Sequence, residues 1–187
     1  MFSRNTTEEN GGFICSYGRY NKLIISGGTF SENTAKTGGC IYVPGNPDWP
    51  SVDIYGGAFS KNRAQQGGCI YAKQSINING GTFSENTAEN GGCIYSAGSL
   101  RMGNEKSVRA DFSKNTATQR GGCIYGDLTI EGGDSSNITF SENTAEQGGC
   151  IYSPDSTTLE AGTFSGNTAQ QGGCIYSEKY LQIYGAV

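Results

Sequence analysis

Seven cysteines, Cys15, Cys40, Cys69, Cys93, Cys123, Cys150 and Cys174, recur every 24 to 30 residues in a chain of 187 residues with no histidine. No Cys-x-x-Cys pair occurs, so zinc ligation and thiol catalysis both lack their usual partners. No metal site, cofactor or catalytic residue is expected. Carboxylate chemistry is no better served. Asp48, Asp53, Asp111, Asp127, Asp134 and Asp155 share no common position in the pattern, whereas glycosidic bond cleavage needs acids paired at one place. Two residues after six of the cysteines come Tyr42, Tyr71, Tyr95, Tyr125, Tyr152 and Tyr176. A strip of tyrosines can stack on sugar faces or serve as an assembly surface. A second row, Arg4, Glu32, Lys61, Glu85, Lys114 and Glu142, alternates in sign without error.

These residues are positioned by a repeat. Phe-Ser-x-Asn-Thr-Ala, then two or three variable residues, then Gly-Gly-Cys-Ile-Tyr, recurs from Phe2, Phe30, Phe59, Phe83, Phe112, Phe140 and Phe164. Units of 24 to 29 residues predict a solenoid whose neighbours stack into one continuous core. Residues 1–187 therefore read as a single array. Helical spacing is absent, and alternation with period two runs ahead of each Phe position. One apolar row reads Ile25, Ile54, Ile78, Met102, Ile130, Leu159 and Ile183; a second, on the same face, reads Leu23, Val52, Ile76, Leu100, Leu128, Thr157 and Leu181. The expectation is an all-β, right-handed parallel β-helix of seven rungs with three short strands in each.

In-register stacking brings identical residues together at ~4.8 Å. The asparagines Asn5, Asn33, Asn62, Asn86, Asn115, Asn143 and Asn167 then form a ladder, and the alternating charges gain opposite neighbours while a register slip places like on like. Strict alternation through Cys-Ile-Tyr puts Ile41, Ile70, Ile94, Ile124, Ile151 and Ile175 inside. Cys40, Cys69, Cys93, Cys123, Cys150 and Cys174 then share an outward assembly strip with the tyrosines. Free thiols and rung-to-rung disulfides both remain open, because Cα atoms at rung spacing permit a disulfide while parallel Cβ vectors disfavour it. Extra residues gather at corners, 43–51 (with Trp49), 103–111 and 134–139. Asn137-Ile138-Thr139 is the better of two glycosylation sequons, since Asn5 belongs to the inward ladder.

The Phe-x-x-Asn and Gly-Gly-x-Ile pair is similar to the repeats of chlamydial polymorphic outer membrane proteins. It also resembles adhesin-like right-handed β-helix repeats of microbial surfaces. Cysteine replaces the small residue usual in those repeats. The resemblance spans all seven repeats and implies a secreted or surface-displayed protein that adheres or self-associates. A net charge of −4 with interspersed signs offers no nucleic-acid footprint, and no apolar run is long enough to insert in a membrane. The chain opens at the Phe of one rung and closes at Ile183-Tyr184-Gly185-Ala186-Val187, where the next Phe falls due. It reads either as a stretch of a longer array or as a subunit stacking head to tail, with lateral contacts also open. The expected function is an extracellular building block of a filament or rod. Alternatives are a glycan-binding surface adhesin that does not polymerise and, less favoured, a polysaccharide lyase or glycosidase.

Overall fold

The computed structural model describes residues 1–17, 22–45, 51–103, 108–132 and 137–184, with the backbone alone at Ser51. Asp48, Trp49, Asp134 and residues 185–187 lie outside the described residues. The chain winds as an all-β parallel solenoid of about six turns, with no helix among the described residues. Each inner strand pairs in parallel with its equivalents one turn before and after, and the end strand of each sheet pairs with one neighbouring strand.

Four sheets run along the axis, and the sequence pattern foresaw only three. A seven-stranded Phe sheet extends from Phe2–Ser3 to Thr163–Ser165. A seven-stranded Tyr sheet extends from Ile14–Cys15 to Ile175–Ser177, and a seven-stranded Leu sheet from Leu23–Ile25 to Tyr180–Ile183. The fourth, a Thr sheet, contains Thr87–Asn90, Thr116–Arg120, Thr144–Gln147 and Thr168–Gln171. Single bridges such as Thr34↔Arg63 and Arg63↔Thr87 carry it towards the N-terminus. It was missed because each of its strands turns only one small residue inward, Ala88, Ala117 or Ala145 in the inner rungs, which is too weak an apolar signal to read as alternation.

Register is in phase in the Phe, Tyr and Leu sheets, where Phe30 pairs Phe59, Ile70 pairs Ile94 and Ile78 pairs Met102; in the Thr sheet it shifts by one residue around Arg120, which pairs Asn90 and Gln147. From Phe30 to Phe164 the phenyl rings stack at 4.6–4.8 Å with interplanar angles of 4–8°. The two apolar rows of the Leu sheet close the interior, and Val52, Ile54, Ile76, Ile78, Leu100 and Met102 are all fully buried.

The corner after each Phe strand holds the asparagine ladder. Asn62 is typical. Its Nδ2 donates to Asn86 Oδ1 at 3.0 Å and to Phe30 O at 3.1 Å. Its Oδ1 accepts from Asn33 N at 3.0 Å and from Asn33 Nδ2 at 2.9 Å. Two donated and two accepted bonds use the full capacity of the amide, so a completely buried polar group carries no desolvation debt. Reaching this geometry requires a left-handed residue just before each asparagine. Arg4, Glu32, Lys61, Glu85, Lys114 and Glu142 adopt φ between 54° and 57°, and Gly166 adopts 62°. The alternating charges therefore ride on the corner itself. Arg4–Glu32, Lys61–Glu85 and Lys114–Glu142 pair at 3.0, 3.8 and 3.9 Å, so the charges couple in twos rather than along the whole row. Such exposed pairs contribute a few tenths of a kcal/mol.

The Gly-Gly corner depends on close approach. A Cβ on Gly39 would lie 2.1 Å from the carbonyl oxygen of Gly68 one rung away, a distance no side chain tolerates. One site breaks the apolar pattern: Thr157 is fully buried in the Leu row with no partner for Oγ1.

Two outcomes follow for stability. Asn86→Ala strands the Asn62 backbone N–H and the Phe59 carbonyl together and should cost about 3–5 kcal/mol, whereas Glu85→Gln beside it costs under about 0.5 kcal/mol; urea unfolding of both variants measures the contrast. Thr157→Val removes an unpaired hydroxyl and should stabilise by about 1 kcal/mol, seen as a rise of ~2–4 °C in Tm.

Candidate functional site

The Tyr sheet and the corner that precedes it carry the residues singled out for chemistry, and the structure divides them between two sides of the wall. Cys40, Cys69, Cys93, Cys123 and Cys150 are fully buried, while Cys174 is partly exposed. The outward placement predicted from alternation is thus wrong for the cysteines. The cause is a bend at the cysteine itself. Cys69 O accepts from both Cys40 N and Ile41 N at 2.9 Å, and the same doubled acceptance recurs at Cys93, Cys123, Cys150 and Cys174. Two consecutive N–H groups sharing one acceptor interrupt the pleat, so Cys and Ile both face inward. Ile41, Ile70, Ile94, Ile124 and Ile151 are fully buried, as the alternation predicts.

All the described cysteines are free thiols. Six of them, from Cys40 to Cys174, form an unbroken column in which each sulfur interacts with the next. The asparagine ladder runs alongside, with Nδ2 of Asn86 3.8 Å from Cys93 Sγ and Nδ2 of Asn115 4.0 Å from Cys123 Sγ. Burial pushes the Cys69 and Cys123 thiols well up. At Cys93 burial acts the same way, but hydrogen bonds from the Cys123 and Cys69 sulfhydryls oppose it and draw the thiol down. In the first turn Phe13 occupies the cysteine position and packs 4.5 Å from the Phe2 ring, while Cys15 lies opposite Tyr42 and is exposed.

On the outer side the tyrosines stack on one another. From Tyr42 to Tyr176 the ring centroids are 4.4–5.4 Å apart at interplanar angles of 3–19°. Tyr71 and Tyr152 are buried, and Tyr42, Tyr95, Tyr125 and Tyr176 are half-buried. The strip is not the open aromatic surface that the sequence suggested, because each ring face inside the column is covered by its neighbours. Arg120, a variable-position residue without any signal in the repeat, lies 5.0 Å over the Tyr152 ring. Tyr152 Oη donates a hydrogen bond to Glu178 Oε1.

The remaining candidates stay apart. Lys22 Nζ and Asn77 Nδ2 hold Asp53 at 2.6 and 2.7 Å. Asp111 accepts from Thr139 Oγ1 at 2.7 Å, and Asp155 pairs with Lys179 at 2.9 Å. Asp127 Oδ1 accepts from Ser153 Oγ and from two backbone N–H groups at 2.9–3.0 Å, closing a corner. Among the described residues no three His, Cys, Asp or Glu side chains converge as a metal cluster. Asn137 is exposed, but it begins the strand Asn137–Ser141 rather than sitting in a corner insertion. A shallow groove of about 460 Å³ crosses the Thr sheet, lined by Lys36, Arg63, Gln65, Thr87 and Glu89 among others. Comparison with protein-family models, curated proteins and solved structures finds no match.

The tyrosine column has a pH signature. Burial raises Tyr95 and Tyr152 from the ordinary 10.0 to about 12, reinforced at Tyr95 by the Tyr125 ring and at Tyr152 by Glu178. Between about pH 10 and pH 12 the unfolded chain has lost these protons and the folded one retains them, so stability falls as pH rises through that window. A phenolate absorbance titration should show a late-ionising group of tyrosines, and denaturant midpoints should drop between about pH 10 and pH 12.

Proposed function

We propose that this chain is a structural building block of an extracellular or cell-surface rod, a right-handed β-helix of adhesin-like type that stacks end to end on further rungs of its own kind. The reading rests on the in-register ladders, in which each rung presents the same Phe, Asn and Tyr side chains to the next. Leu181 and Ile183 are 42% and 63% exposed, although they occupy rows whose inner members Ile76, Ile78, Leu100 and Met102 are 0% exposed. At the opposite edge Phe2 is 43% exposed, against 0% for Phe59. The strand Tyr180–Ile183 pairs on one side only. Unpaired parallel edges over apolar rows are templates for another rung. In-register ladders of Phe, Asn and Tyr specify what such a rung must present. Parallel crossovers within one sheet favour the right-handed sense.

The alternatives have less support. Sugar binding by the strip requires free ring faces, and the tyrosine faces are turned to one another. Lyase or glycosidase chemistry requires converging carboxylates, and Asp53, Asp111, Asp127 and Asp155 each have separate partners.

Axial stacking is a contact between unlike ends that does not close, so it should give rods that lengthen with concentration. Sedimentation velocity with negative-stain imaging should show particles of one width in multiples of ~30–35 Å. Leu181→Lys with Ile183→Lys should return them to single subunits, with the β circular dichroism retained. Monodisperse single subunits of the unmodified protein at every concentration would exclude end-to-end assembly.

A further inference from the structure

Cys40, Cys69, Cys93, Cys123, Cys150 and Cys174 form a line of six thiols with no carboxylate or histidine beside it. Equivalent atoms in consecutive rungs lie ~4.8 Å apart. That spacing decides which chemistry the line suits. A disulfide brings its Cβ atoms to ~3.5–4.5 Å. Closing one between rungs would draw two strands together against the two backbone bonds of 2.8–3.0 Å that each column cysteine's carbonyl accepts from the preceding rung. Two metal–thiolate bonds of ~2.3 Å laid end to end span ~4.6 Å, which is the rung spacing with little adjustment. Each gap offers two sulfurs and nothing else. This excludes the tetrahedral and octahedral sites of zinc, magnesium and calcium and matches a soft cation content with two collinear thiolates.

We propose that the buried thiol column binds soft monovalent cations of the Cu(I) and Ag(I) class, each bridging the sulfurs of two consecutive rungs. At an isolated gap two S–H groups lose their protons to solvent and each sulfur gives one electron pair to the cation; no electron is transferred. Along the six cysteines the interior sulfurs bridge on both sides. Filling every gap therefore takes five cations, releases six protons and leaves one net negative charge. The amide nitrogens of Asn86 and Asn115, whose hydrogens are held by the ladder, lie 3.8 and 4.0 Å from Cys93 and Cys123 Sγ, and the positive end of each amide dipole favours the thiolate form. Phe13 stops the column beyond Cys40, and Cys174 is its partly exposed member, so cations enter past Cys174.

The test is an anaerobic titration of the reduced full chain with Ag(I), in a Cys15→Ser background that removes the exposed thiol outside the column. The expected result is saturation at five equivalents, with thiolate-to-metal absorption in the near ultraviolet, unchanged β circular dichroism and two sulfur neighbours per metal by X-ray absorption. Cys93→Ala interrupts two gaps and should reduce saturation to three equivalents. Cys174→Ala at the exposed end removes one gap and should give four, which keeps the count readable if the core substitution does not fold. No uptake by the folded chain, uptake only with loss of the β signal, or a stoichiometry of one metal per remaining thiol would overturn the proposal.

Discussion

The fold depends on one interaction, the side-chain amide of each asparagine shared between three rungs. A parallel solenoid can satisfy its straight segments with ladder hydrogen bonds, but its corners leave backbone groups pointing inward. The ladder answers that need where the chain turns most sharply. Asn86 binds the Phe59 carbonyl of the preceding turn and the Asn115 amide of the following one, and it receives the Asn62 backbone N–H. With no capacity left over, the amide can be placed at 0% exposure. That burial lets the phenyl rings pack over the corner and continue the core without a break.

Other features follow from this choice. The residue before each asparagine must take a left-handed conformation that costs a non-glycine residue of order 1 kcal/mol. The protein accepts that cost six times and uses glycine once, at Gly166. Since the side chain there must point to solvent, the position is free to carry charge, and alternation of sign keeps like charges apart at rung spacing. On the far side of the same corner space the interior sulfurs meet the ladder amides at 3.8–4.0 Å. Thiols, amides and phenyl rings thus form adjoining columns along one edge of the core.

Much of this was legible in the residues. The period, the two apolar rows ending at Ile183 and Leu181, the inward isoleucines and the asparagine ladder follow from spacing and polarity alone, because stacking repeats each choice until chance is excluded. Two features were not. The Thr sheet was hidden because Ala88 and Ala117 give a strand no apolar contrast with Thr87 and Thr116. Alternation places the cysteines on the wrong side because it assumes an unbroken pleat, and the doubled acceptance at Cys69 O is a backbone event without a residue signature. The tyrosines fall in one column as the period implies, yet their ring stacking depends on side-chain rotation that spacing does not specify. Arg120 over Tyr152 arises in a variable position, where repetition offers no guide.

The central claim is that equivalent asparagines of successive turns bind one another inside the core. Side-chain amide hydrogen exchange followed by NMR tests it directly. The account predicts that the Nδ2 protons of Asn33, Asn62, Asn86, Asn115 and Asn143 exchange as slowly as the backbone amides of the Phe sheet, while those of exposed Asn137 exchange at solvent rates. Rapid exchange at all five ladder amides in the folded protein would contradict it.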